Sequence, residues 1–110
     1  MERIINMGIQ VVPLETEVNK YDVIDHAIGI IQQSGLKHIV TPFETVIEGE
    51  EEKVYDLLKD IRNACYDFGC EELLINVRFH SSKNKNVFME DKTSKFWIAL
   101  FTLRNRDGIY

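Results

Sequence analysis

Lys37-His38-Ile39-Val40-Thr41-Pro42-Phe43, followed at once by Glu44-Thr45-Val46-Ile47-Glu48-Gly49, reads as two short β-branched segments with no room for a helix between them. Pro42 cannot donate to a strand ladder, so the pair is expected to meet at a turn or bulge near that residue. Outward on the C-terminal side, Val54, Leu57, Leu58, Ile61, Ala64, Cys65 and Phe68 recur at helical spacing. Gly69 stops that helix, and Glu50, Glu51 and Glu52 sit where the positive end of the helix dipole favours acidic residues. Leu73, Ile75, Val77 and Phe79 then alternate with Leu74, Asn76, Arg78 and His80, the period of a strand with one apolar face.

On the N-terminal side, Arg3 to Val12 sets Ile5, Met7, Ile9 and Val11 against Ile4, Asn6, Gly8 and Gln10, again a period of two, which Pro13 is expected to end. Asn19 is suited to cap a helix, Val23, Ile24, Ala27, Ile28 and Ile31 supply its apolar stripe, and Gly35 closes it. The order is βαββαβ. With right-handed crossovers this gives an α+β, ferredoxin-like sandwich, a four-stranded antiparallel sheet with two helices on one face. Beyond the polar loop Ser81 to Asn86, Val87 to Lys95 predicts a short C-terminal helix, and Phe96-Trp97-Ile98-Ala99-Leu100-Phe101 is an apolar run that calls for a sheet or another subunit to pack on.

A chain of 110 residues supports one domain with one core. A hydrophobic fraction of 45% beside 28% charged residues is a globular balance, not that of a disordered chain. Thirteen Lys plus Arg against eighteen Asp plus Glu give a formal charge of −5, so the surface repels nucleic acid. An RNA-binding module on this fold would also need exposed aromatics on its central strands, where this chain carries Asn6, Gly8 and Glu48. No segment approaches the ~20 apolar residues of a membrane span and the start lacks a signal-peptide pattern, so the expected location is the cytoplasm. Cys65 and Cys70 lack Cys-x-x-Cys spacing and are expected to be reduced thiols.

Chemistry-bearing residues are sparse. His26, His38 and His80 have no metal-ligand spacing, so no metal is expected. A phosphate loop is absent, and Gly49-Glu50-Glu51-Glu52 opposes an anion at that helix start. Glu48, His80 and Cys70 are the available acid, base and nucleophile, and nothing in their spacing makes them converge, so catalysis is not expected. The sheet face left bare by the helices would present Asn6, Gly8, Gln10, Asn76, Arg78 and His80; it is either solvated, covered by a second subunit, or a ligand surface. Regular alternation puts Thr45 and Glu48 on opposite faces, and only a distortion at Gly49 would turn both toward one ligand.

Ile9-Gln10-Val11-Val12-Pro13, Ser34-Gly35-Leu36, and above all Thr45-Val46-Ile47-Glu48-Gly49-Glu50 before an acidic helix resemble the thiamine-binding, YkoF-like protein family, from about Arg3 to Lys95. The resemblance implies a domain over residues 1–95, with residues 96–110 an apolar extension that has no counterpart in the family. It also implies a ferredoxin-like subunit assembled as a homo-oligomer, a dimer or tetramer, that binds thiamine or its hydroxymethylpyrimidine part without turnover and without a further cofactor. Thr45 and Glu48 are the ligand contacts carried over. A carboxylate suits an aminopyrimidine and a threonine hydroxyl serves either polarity. By position, Phe43 could stack on a flat ring or face a thiazolium cation, and Gln10 could read the remaining ring edge. The competing expectation is a regulatory or assembly module of the same fold that binds another small effector.

Overall fold

The computed structural model describes residues 2–94; the apolar run and the extension 96–110 lie outside them. Strands and helices follow in the order β1 (Ile4–Thr16), α1 (Lys20–Gln33), β2 (Lys37–Val40), β3 (Thr45–Glu50), α2 (Glu51–Phe68) and β4 (Cys70–His80). The sheet is four-stranded, antiparallel and ordered β2-β3-β1-β4, the ferredoxin-like arrangement. Residues 89–94 form a third, short helix.

Each helix begins and ends for local reasons. Asn19 Oδ1 accepts from the Tyr21 N–H at 2.8 Å, satisfying one of the first-turn donors that have no intrahelical partner. Gly35 takes φ 75° after α1 and Gly69 φ 121° after α2, conformations that a side chain would oppose. The core-facing stripes are Val23, Ala27 and Ile31 on α1 and Val54, Leu57, Ile61 and Cys65 on α2. They pack on Ile5, Met7, Ile9 and Ile47 of the sheet, each large apolar side chain contributing ~1.5–3 kcal/mol by burial. Phe68 departs from the expected stripe. It is partly exposed and stacks on His26 with ring centroids 4.4 Å apart, because it lies in the last turn of α2, at the margin of the core.

Register sets the opposite face. Asn6 stands between Glu48 and His80, Gly8 between Val46 and Arg78, and Gln10 beside Asn76, which is the polar row that strand parity predicts. Several expected boundaries move, β3 by one residue to Thr45–Glu50. β1 runs through Pro13 to Thr16, paired with β4 across register shifts after Pro13. β3 accompanies β1 only as far as Ile9, so beyond it β1 has one free edge, toward which a residue without an N–H costs no ladder bond. β2 stops at Val40 rather than Phe43, and β4 begins at Cys70, directly after Gly69.

Candidate functional site

The uncovered face of the sheet is not bare at its β1 start. β4 ends opposite Asn6, which leaves the backbone of Ile4 without a strand on that side, and the segment following β4 takes its place. Asn86 Oδ1 accepts from the Ile4 N–H at 2.9 Å, and the Val87 N–H donates to the Ile4 carbonyl at 3.0 Å. The chain then crosses the sheet. Asn6 Nδ2 donates to the Val87 carbonyl at 3.0 Å, and the Met89 N–H donates to Glu48 Oε1 at 2.6 Å. Val87 and Met89 are thereby buried, and residues 86–94 form a strap over one corner of the sheet.

Beside the strap lies a groove of about 510 Å³, walled by Asn6, Gly8 and Val46 of the sheet, Ile39 of β2, Glu44, Arg78, and Met89 of the strap. Its volume is within the range of ~300–1,000 Å³ typical of small-molecule sites. At its far side Arg78 Nη2 donates to Glu44 Oε1 at 2.6 Å. This ion pair crosses β1 at Gly8, where a Cβ would stand 2.8 Å from Glu44 Oε2; the missing side chain is what lets the carboxylate reach over. The hydrogen bond that Arg78 donates to Glu44, then the charge of Glu44, raises the pKa of the Arg78 guanidinium above its ordinary value. Glu44 itself is placed by the turn between β2 and β3. Thr41 Oγ1 donates to the Glu44 carbonyl at 2.6 Å and accepts from the N–H groups of Phe43 and Glu44, a hydroxyl-closed turn.

Asn6 is the unusual member. It is 3% exposed, its Nδ2 faces the Val87 carbonyl and, at 3.5 Å, Glu48 Oε1, and among the described residues its Oδ1 has no donor. A buried acceptor left unpaired costs ~1–3 kcal/mol.

The residues expected to contact a ligand are distributed unequally about this groove. Glu48 is on the open face but 8% exposed, with Oε1 engaged by Met89 and Asn6 and Oε2 3.7 Å from Lys37 Nζ, so it sits beneath the strap rather than in the groove wall. Thr45 is buried on the helix-covered face, paired with Ile9; no distortion at Gly49 turns it toward Glu48. Phe43, 83% exposed, and Gln10 share a second hollow of about 390 Å³ that is also lined by Glu44 and Arg78, so the ion pair borders both spaces. Gln10 Oε1 there accepts from Asn76 Nδ2 at 3.1 Å. Sequence reasoning placed Asn6 and Arg78 on a possible ligand face without making them contacts, and left Glu44 and the strap out of the site. The available signal was parity: Glu44 and Arg78, of opposite charge, both fall on the face that exposes Gly8.

The other chemistry-bearing groups do not join the groove together. His80 borders it, but Cys70 is buried at the opposite end of β4, about 33 Å away at ~3.3 Å per residue. Among the described residues no cluster of His, Cys, Asp and Glu is arranged to hold a metal ion, and no described helix is long and apolar enough to cross a membrane. Cys65 and Cys70 are free and buried; burial first, then the neighbouring Cys70, pushes the Cys65 thiol up to about 11.

A family profile described as thiamine-binding protein matches residues 7–96. The chain belongs to the thiamine-binding protein family. Over 91 residues it is 28% identical to the UPF0045 protein CPE1503 of Clostridium perfringens, covering 83% of this chain and 95% of the relative. Its fold resembles a Bacillus cereus structure of the DUF77 domain of unknown function, with TM-score 0.82 and 33% identity over 86% of this chain and 91% of that one. It also resembles a Thermotoga maritima protein provisionally described as a thiamine biosynthesis/salvage protein, with TM-score 0.76 and 28% identity over 84% of this chain and 98% of that one. In this member of the thiamine-binding family, the matched region takes in the strap and the open sheet face from Gly8 onward, with Asn6 just before its start.

Proposed function

We propose that the protein is a non-catalytic cytoplasmic binding protein for thiamine or its hydroxymethylpyrimidine part, with the ligand held in the groove between the open sheet face and the strap. The observation that carries this reading is the groove itself. It joins apolar walls at Ile39, Val46 and Met89 to polar groups at Asn6, Glu44 and Arg78, which suits a flat heterocycle with a few polar edges. Glu44 offers a carboxylate to an aminopyrimidine or to the thiazolium charge, and Phe43 and Gln10 flank the neighbouring hollow, where the second ring of thiamine could lie. Membership of the thiamine-binding family and the description of the Thermotoga relative support the same vitamin.

The protein acts in this reading as a homodimer or homotetramer. Ile39, Leu74 and Phe43 are exposed at 47%, 47% and 83%, an apolar surface that favours a second subunit. The same surface favours the alternative reading, an assembly or regulatory module for another small effector. Calorimetric titration with thiamine and, separately, hydroxymethylpyrimidine decides between them. The carrier reading expects micromolar binding, weakened by ~1–3 kcal/mol in Glu44→Gln, which removes the carboxylate of the groove wall. No heat with either compound, in protein shown by light scattering to be folded and assembled, overturns it in favour of the alternative.

A further inference from the structure

The orientation of the Asn6 amide points to what the groove selects. Both groups that face its nitrogen are acceptors, the Val87 carbonyl at 3.0 Å and Glu48 Oε1 at 3.5 Å. A flipped amide would set oxygen against oxygen at both, so the NH₂ is held toward the strap and the carbonyl oxygen is left as an acceptor. That oxygen is buried, has no donor among the described residues, and belongs to a residue of the groove wall. Glu48, through its own bond to the Met89 N–H, holds the strap that holds Asn6.

We propose that Asn6 is the specificity-determining residue of this groove, its Oδ1 accepting a hydrogen bond from an amino group on a ligand heterocycle, so that the site takes amino-heterocycles and rejects the oxo analogues that present a carbonyl at the same position. The oxygen is buried, so the ligand reaches it on a small outward movement of the groove wall. An oxo compound brings a second acceptor against Oδ1 and leaves both lone-pair bearers buried and unpaired, whereas an amine supplies the missing donor. The inference rests on the groove being a small-molecule site, as in the reading above, but not on the vitamin being its occupant.

The test titrates wild type and Asn6→Leu with thiamine and with matched pairs: hydroxymethylpyrimidine and its 4-oxo analogue, cytosine and uracil, adenine and hypoxanthine. The expected result is a preference of roughly tenfold to a hundredfold for the amino member of a pair, lost in Asn6→Leu. Should that variant not fold, the side-chain amide resonances of Asn6 in wild type carry the decision, shifting with the amino member and not with the oxo one. Thiamine or hydroxymethylpyrimidine binding with no amino preference, or with the preference intact in Asn6→Leu, overturns the assignment to Asn6 and leaves the carrier reading standing. Binding only of another amine, dependent on Asn6, supports the assignment and removes the vitamin. Binding of none overturns both.

Discussion

Replacing Glu48 tests the link between the sheet and the strap. The carboxylate accepts from the Met89 N–H at 2.6 Å and, more weakly, from Asn6 Nδ2 at 3.5 Å, with Lys37 Nζ 3.7 Å away. In Glu48→Gln the amide oxygen can still face Met89, so a charge-assisted bond of ~1.5–3 kcal/mol becomes a neutral one of ~0.5–1.5 kcal/mol. The lost ion pair with the exposed Lys37 adds at most ~0.5 kcal/mol. The expected loss is therefore ~1–2 kcal/mol, a fall of roughly 0.5–1 M in the urea midpoint at ~2 kcal/mol per M, read by far-ultraviolet circular dichroism. Glu48→Leu leaves the Met89 N–H with no acceptor under the strap and is expected to cost a further ~1–3 kcal/mol. Hydrogen exchange at the Met89 amide should quicken in both variants, and more in the leucine one. Equal stability of the two variants, with Met89 exchange unchanged from wild type, would refute the claim that Glu48 anchors the strap.

Three further outcomes follow from single positions. Gly8→Ala places a Cβ 2.8 Å from Glu44 Oε2, the far end of a flexible side chain. The urea midpoint should change little, because removing a strand glycine gains ~0.5–1 kcal/mol against the displacement, while ligand titrations weaken as the groove wall shifts; unaltered affinity would take the Glu44–Arg78 pair out of the site. Ile47→Ala, at a fully buried position between β1 and the helices, should cost ~2–5 kcal/mol in the same unfolding measurement. The Cys65 thiol has an ordinary value of 9.0 and is held protonated to about 11 in the fold. The unfolded chain therefore binds fewer protons across that window, and stability present in full below pH ~9 falls by up to ~2–3 kcal/mol as pH rises through ~11. Cys65→Ala should lack that component, and identical alkaline unfolding curves would contradict it.

Strand parity and helical period are local properties, and they make much of this protein legible in its sequence. Two strands in succession at Lys37–Gly49, each half of the chain completed by one helix, determined the βαββαβ order, and right-handed crossovers then put both helical stripes on one sheet face. Parity alone also assigned Asn6, Gly8, Gln10, Asn76, Arg78 and His80 to the uncovered face, and the register bears this out. The same rule kept Thr45 away from Glu48: the motif that most specifically carries the family resemblance places its threonine in the core and its glutamate under a strap. Pro13 misled because its effect depends on whether a neighbouring strand is present, and β3 has already ended there.

What tertiary structure alone decided is which side chains meet. Ile4 and Asn86 are separated by 82 positions in sequence, and no local pattern announces that the chain returns to satisfy a backbone left unpaired where β4 stops. The Glu44 carboxylate reaches Arg78 only because the Thr41-closed turn aims it across a glycine in a third strand. The orientation of Asn6, an unremarkable polar residue in sequence, is imposed by two acceptors from distant segments. Local preference is written in neighbouring residues and can be read from them, whereas hydrogen-bond polarity in a buried site depends on every group that converges there, and only the folded chain brings those groups together.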